Sequence, residues 1–352
     1  MLRLPLTTPR LITLSFVGVI LIGALLLLLP VSRAPGVVPI TVVDAIFTAT
    51  SATCVTGLTV RDTGRDFSFF GQAVIVMLCQ IGGLGILTIS NYFLFMTGRR
   101  LGLGGREMIE ASHGSLREVH PRTLLRQVVV YTLTIEAIGA AILTARFAYD
   151  YPLPQAIWMG VFHAVSAFCN AGFGLLSDSF VSYSGDPVVN LTIMGLIILG
   201  GLGFVVFADL RATLPKILRR QRFRLSLHSR IVLLFTALLI VVGAAMIVLF
   251  EFVNPVQSKT PLPVLTLQAF FLSVTARTAG FNTVDMAALT DASLLLVMIL
   301  MVIGASPGST GGGVKTTTLA VFYALVMSRL RARPTPELLD RSLPPEVVSK
   351  AV

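Results

Sequence analysis

Three times in this 352-residue chain an outer apolar helix leads into a short apolar hairpin, a glycine and then an inner apolar run. The hairpins are 44–60, 159–176 and 267–284. Aligned on Gly57, Gly172 and Gly280, they also superpose Phe47, Phe162 and Phe270. A second glycine cluster follows each, at Gly82, Gly200 and Gly304, at separations of 25, 28 and 24 residues. The chain divides accordingly into repeats at 1–100, 101–220 and 221–328, with a linker at 329–352. Tandem units of helix, half-helix, loop and helix let one chain surround a central axis, so transport is the first reading to test.

Hydrophobic residues make up 55% of the chain, charged residues 12%, and the mean hydropathy is +0.86. A soluble core needs no such bias, which places the chain among all-α polytopic membrane proteins. Apolar runs near 11–30, 72–97, 123–147, 188–210, 230–253 and 293–327 each reach the roughly 20 residues that cross a bilayer. The first of these reads as a retained helix, too long for a signal-peptide core. The hairpin helices at 44–53, 154–168 and 263–276 are too short to cross and read as re-entrant.

Charge sets the topology. Of 27 Lys and Arg residues, 20 fall in the N-terminus, the 98–126 and 209–230 loops and the tail after 328. Basic loops stay cytoplasmic, so the N-terminus is inside and every hairpin enters from outside. That accounts for the net charge of +10 without nucleic acid as a partner. The three cysteines show no CxxC or histidine-rich spacing, so neither a disulfide framework nor a metal site is expected.

A dehydrated monovalent cation needs a shell of oxygens to replace its water. Backbone carbonyls supply it only where successive peptides turn the same way, which requires positive φ at some positions. The candidate stretches are Thr53-Cys54-Val55-Thr56-Gly57, Cys169-Asn170-Ala171-Gly172 and Arg277-Thr278-Ala279-Gly280. Each follows a short helix whose C-terminal end carries partial negative charge toward the centre. Ion binding is expected through backbone carbonyls alone.

Residues 303–318 read as a gate. A continuous helix would have to absorb Gly304, Pro307, Gly308, Gly311, Gly312 and Gly313, at a cost of roughly 8 kcal/mol. A broken helix with a polar loop is expected, with Ser306, Ser309, Thr310 and the backbone lining or blocking the axis and Lys315 at its end. A phosphate-binding loop is excluded because Val314 separates the last glycine from Lys315. Arg277 has two readings, tuning the field near the third glycine or bracing its loop. Glu136 should face protein, His163 should be a packing residue and Trp158 an interfacial anchor. The 82–85 and 200–203 glycines should let inner helices approach closely.

The segments SATCVTGL, FCNAGFG, TARTAGFNT and GASPGSTGGGVKTTT resemble the membrane subunit of the bacterial Trk/Ktr potassium transporters, along nearly the whole chain. The absence of an extra helical pair before the first hairpin makes it more similar to the KtrB type than to the TrkH type. The resemblance implies a potassium-channel-like fold of four repeats with one selectivity glycine each. It also implies potassium uptake, often promoted by sodium, a homodimer in the bacterial plasma membrane, and a cytosolic nucleotide-binding ring as partner. No further cofactor is implied. Only three repeats occur before Val352, so a non-conducting truncated chain, or a last quarter supplied by another chain, is also an expectation. A membrane-embedded enzyme using Glu136, His163 and Asp44 lacks a nucleophile motif. A secondary carrier is disfavoured because every hairpin enters from one side.

Overall fold

A computed structural model describes residues 8–100, 121–218, 221, 225–256, 260–331, 335–339 and 341–342. The described chain is helical: α1 (Thr8–Leu28), α2 (Val42–Thr53), α3 (Phe69–Arg100), α4 (Pro121–Phe147), α5 (Leu153–Phe168), α6 (Pro187–Leu202), α7 (Phe204–Leu218), α8 (Leu227–Phe252), α9 (Leu262–Thr275), α10 (Asp291–Val302) and α11 (Thr316–Leu330). The tail, read from sequence as a linker, contributes a two-residue antiparallel pair, Glu337–Leu338 with Arg341–Ser342. The basic segment 101–120 and residues 343–352 lie outside the described residues.

Local chemistry places the helix starts. Thr41 and Asp44 form a reciprocal capping box at α2, at 3.1 Å in each direction. Prolines at the first two positions open α5, α6 and α9, where a missing N–H leaves nothing unsatisfied. The short helices α2, α5 and α9 are the hairpin helices that the sequence placed at 44–53, 154–168 and 263–276. On α2, Ala45, Ala49 and Ala52 recur at helical spacing and are all fully buried, so small side chains bring its backbone against α1 and α3. The largest cluster gathers α5, α6 and α9 around Phe147, Phe180, Ile193 and Phe271.

Among the described residues three helical stretches are long and apolar enough to cross a membrane: Phe69–Thr88, Leu125–Phe147 and Leu227–Phe252. The apolar part of α1, Thr13–Leu28, is shorter. The run at 188–210, read from sequence as one span, is two helices, α6 and α7, meeting at 99°. The bend lies at Gly203, whose φ is +87°. The break read at 303–318 falls between α10 and α11.

Outside the helices the chain is fastened by polar contacts. Arg61 donates to Asp44 from Nε at 3.0 Å and Nη2 at 2.8 Å. Arg146 bridges Asp150 at 2.8 Å and Asp186, and its guanidinium lies 5.5 Å from the Tyr183 ring centre.

Candidate functional site

The three hairpins end in the same backbone shape. Two residues before each glycine, Val55, Asn170 and Thr278 take φ of 56°, 57° and 70°. The glycines follow at 79°, 72° and 82°. An L-residue rarely adopts positive φ, and for β-branched valine and threonine it is strained, so three matched cases point to a backbone held for a purpose. Alternation of left-handed and ordinary residues turns consecutive peptides the same way, which an extended strand does not do. Thr56 N–H donates to Ser51 O and Ala171 N–H to Ser166 O, both at 2.8 Å, closing the first two turns alike. Ala279 N–H closes the third on Thr275 O at 3.0 Å.

These turns converge. A Cβ added to Gly57 would lie 2.6 Å from Ala171 O, and one on Gly172 would lie 2.8 Å from Ala279 O. A Cβ on Gly280 would meet only Gly172 Cα, at 3.3 Å. Glycines more than a hundred residues apart are thus in backbone contact. Beside them opens a cavity of about 530 Å³ lined by Gly57, Gly172, Gly280, Asp62, Asp178 and Asp285. The three aspartates follow their glycines by 5, 6 and 5 residues, a recurrence present in the sequence that the repeat alignment did not use. Asp62 accepts from Gly64 N and Arg65 N, Asp178 from Ser182 N, and Asp285 from Ala287 N.

The residues before the glycines differ in surroundings. Cys54 is exposed, whereas Cys169 is buried beside Gln80 and Glu136. Glu136 does face protein: Gln80 Nε2 donates to it at 3.1 Å, and it is 4% exposed. Arg277 is buried, with Nη2 at 3.5 Å from both Gly304 O and Thr236 Oγ1 and Nε without a partner. It points to the loop between α10 and α11 rather than to the cavity, so of its two readings bracing fits the geometry.

His163 packs as expected, with the neutral tautomer fixed by its partners. Leu175 N–H donates to Nε2 at 3.1 Å, so Nδ1 carries the hydrogen directed at Met159 O, 2.8 Å away. Trp158 ties two helices together. Its Nε1 donates to Gln72 Oε1 at 2.7 Å and its ring lies 4.4 Å from that of Phe69, bridging α5 to α3.

The loop between α10 and α11 folds back on itself and seats against the second hairpin. Ala305 N–H donates to Gly312 O at 3.0 Å and Val314 N–H to Val302 O at 3.1 Å. Gly304 packs on Gly312 and Gly313 so closely that a side chain there would collide with them. Lys315 Nζ donates to Gly311 O at 2.7 Å. Ser306 N–H reaches Gly201 O at 3.0 Å, Thr310 N–H reaches Gly200 O at 3.2 Å, and Gly308 O accepts from Phe204 N–H at 3.0 Å. Gly203 faces Pro307 O across the bend.

Thr310 Oγ1 donates to Phe168 O, the last carbonyl of α5, at 3.1 Å, and accepts from Asn170 Nδ2 at 3.3 Å. A Cβ on Gly311 would stand 2.8 Å from Thr278 Oγ1. Ser306 Oγ pairs with Thr316 Oγ1 at 2.9 Å and Ser309 Oγ donates to Ser306 O at 2.6 Å, so both hydroxyls hold the loop's own shape.

Glycine does what the sequence suggested at 82 and 200. A side chain at Gly82 would collide with Thr53 O, and one at Gly200 with Phe168 O, the corresponding carbonyl. Among the described residues no group of three His, Cys, Asp or Glu side chains converges to hold a metal ion.

The sequence profile of TrkH, a cation transport protein family, matches residues 14–351. The chain is 41% identical over 345 residues to the Ktr system potassium uptake protein B of Vibrio alginolyticus, spanning 98% of this chain and 74% of that one. Its counterpart in Bacillus subtilis is 37% identical over 348 residues, spanning 98% and 76%. The potassium/sodium uptake protein NtpJ of Enterococcus hirae is 34% identical over 351 residues, spanning 99% and 76%. Among solved structures, the crystal structure of the potassium transporter TrkH from Vibrio parahaemolyticus matches with a TM-score of 0.73 at 20% identity, covering 99% of this chain and 69% of that one. That likeness is one of fold.

Proposed function

Because this chain belongs to the TrkH family of cation transport proteins, we propose that it takes up potassium through a filter of backbone carbonyls around Gly57, Gly172 and Gly280. The observation that carries this reading is the meeting of the three left-handed glycine turns at one face of an aspartate-lined cavity. The names of the relatives, potassium uptake and potassium/sodium uptake proteins, support the choice of ion. The family is one of transporters rather than enzymes.

In this reading the cation loses its water to carbonyls of 53–57, 169–172 and 277–280. The C-terminal ends of α2, α5 and α9, each worth roughly half a negative charge, favour it there. The loop 303–315 obstructs the axis beneath the filter. Its seat on Gly200, Gly201 and Phe204 supports a gate with a defined closed position. The repeats divide at 1–100, 101–220 and 221–328. The membrane is the bacterial plasma membrane, with the N-terminus inside on the strength of the basic loops. Sodium promotes uptake, and the transporter is a homodimer. A cytosolic nucleotide-binding ring docks on the inner basic face, part of which, 101–120, lies outside the described residues.

The test is potassium uptake in uptake-deficient bacterial cells expressing the full chain with and without a cytosolic ring subunit. Uptake that saturates with potassium and is competed by sodium supports the reading. Transport of an organic solute in place of cations would refute it.

A further inference from the structure

The buried polar groups at the loop seat are unequally satisfied. Asn170 is 2% exposed, yet its Oδ1 has no hydrogen-bond partner in the protein. The orientation of that amide is fixed by Thr310. A hydroxyl has one hydrogen, and that of Thr310 is committed to Phe168 O. Thr310 can therefore only accept from Asn170, so the amide must turn its Nδ2 toward the loop. Its carbonyl oxygen is thereby turned away. At the corresponding position of the third hairpin, Thr278 Oγ1 is also buried without a partner, while Val55 of the first has no polar atom. A neutral acceptor buried without a donor is unfavourable, and a water, a donor or a cation meeting it relieves the cost. Asn170 lies in the left-handed turn that ends at Gly172.

We propose that Asn170 Oδ1 is a side-chain ligand for the dehydrated monovalent cation at the inner end of the filter, and that Thr310 is the positioning residue that aims it. The proposal rests on the filter reading above and deepens it, replacing an all-backbone coordination shell with a mixed one. It also makes ion discrimination depend on the loop. When the loop is seated the amide is locked, and when the loop leaves Asn170 loses the partner that orients it. An amide oxygen resembles a backbone carbonyl in hardness and charge, so it suits a cation such as potassium.

The experiment measures potassium flux on the full chain in liposomes and, separately, the potassium-over-sodium ratio of equilibrium ion binding to the purified full chain with the loop seated, for Thr310→Val, Thr310→Ser, Asn170→Leu and Gly172→Ala. Valine keeps the volume of threonine but loses the hydroxyl. Thr310→Val and Asn170→Leu are each expected to lower the ratio about tenfold, and Thr310→Ser to restore it relative to Val. The double variant Thr310→Val with Asn170→Leu should lose no more than Asn170→Leu alone. If Thr310→Val changes total flux but leaves the ratio intact, the loop is only a plug and the proposal fails. Should Asn170→Leu not fold, the comparison of Val with Ser at 310 decides alone. Gly172→Ala separates the two levels: a ratio unchanged there sinks the filter itself, whereas a ratio lost there but kept in Thr310→Val sinks only this inference.

Discussion

Gly203 and Pro307 share one contact: a Cβ on Gly203 would stand 2.5 Å from the Pro307 carbonyl oxygen, at a backbone φ of +87°. The glycine both permits the bend between α6 and α7 and makes room for the loop. Alanine at 203 would meet backbone strain of roughly 1–3 kcal/mol, because φ +87° with ψ 152° is a region open essentially to glycine, and would displace the loop as well. The expected outcome is a several-fold rise in basal cation flux in reconstituted vesicles. Gly195→Ala, where nothing lies within 4 Å of the new Cβ, should leave flux unchanged. Unaltered flux in a folded Gly203→Ala protein would mean that this contact does not seat the gate.

Gly57, Gly172 and Gly280, the glycines of the proposed filter, should not respond equally to alanine. Gly172 is confined by Ala279 O at 2.8 Å and by the Cα atoms of Gly280 and Gly57 at 3.2 and 3.3 Å, whereas Gly280 meets only Gly172 Cα. All three have positive φ, so each should lose selectivity, with Gly172→Ala more severe than Gly280→Ala. Sodium competition of potassium uptake reads the order, and an inverted order would argue against backbone crowding as the cause.

Glu136 holds Gln80 and stands beside Cys169, behind the turn that ends at Gly172. Glu136→Gln keeps an acceptor for Gln80 and should be nearly silent in thermal unfolding. Glu136→Leu strands the Gln80 amide, costing about 1–3 kcal/mol. Equal stability of the two variants would show that the pair contributes nothing.

The most legible parts of this molecule were those where the chain repeats itself. Gly57, Gly172 and Gly280 stood out because the same spacing recurred, and the density of helix breakers marked 303–318. The bend at Gly203 was not legible, for a physical reason. The sequence Gly-Gly-Leu-Gly occurs at both 82–85 and 200–203, yet α3 runs straight through the first copy while the second breaks. What differs is the loop, whose Gly308 carbonyl takes the Phe204 N–H and whose Pro307 fills the space at the bend. A contact made from 100 residues away decides between helix and kink, and local propensity carries no trace of it. Thr310 was named from the sequence as lining or blocking the axis, but its partners escaped for the same reason: Phe168 and Asn170 are set by how the third segment packs on the second.

Acid should weaken the outer network. Asp150 accepts from Tyr183 Oη at 2.9 Å and pairs with Arg146, and these two partners, Tyr183 foremost, hold its carboxyl below the usual carboxylate range. A depressed value means that the stabilisation is fully present above the unfolded value near pH 4 and is lost as pH falls through the lower folded one. Unfolding followed from pH 6 downward should show a steeper acid decline for the parent than for Asp150→Asn. Parallel curves would place the acid sensitivity elsewhere.

The aspartates of the cavity offer the sharpest separation of charge from structure. Asp62, Asp178 and Asp285 each accept backbone N–H bonds at the start of a turn, at 2.9, 3.0 and 3.0 Å. Asparagine makes the same bonds as a cap. Replacing all three with asparagine therefore removes three negative charges while leaving the turns held. Negative charge in a concave mouth raises the local cation concentration, and salt screens it over a Debye length of about 8 Å at physiological ionic strength. The triple variant should need several-fold more external potassium for half-maximal uptake at low ionic strength, with the maximal rate preserved. Raising the ionic strength with an impermeant salt should bring parent and variant together. A fall in maximal rate with no change in the half-maximal concentration would instead assign these carboxylates to holding the turns, and would remove them from the path of the ion.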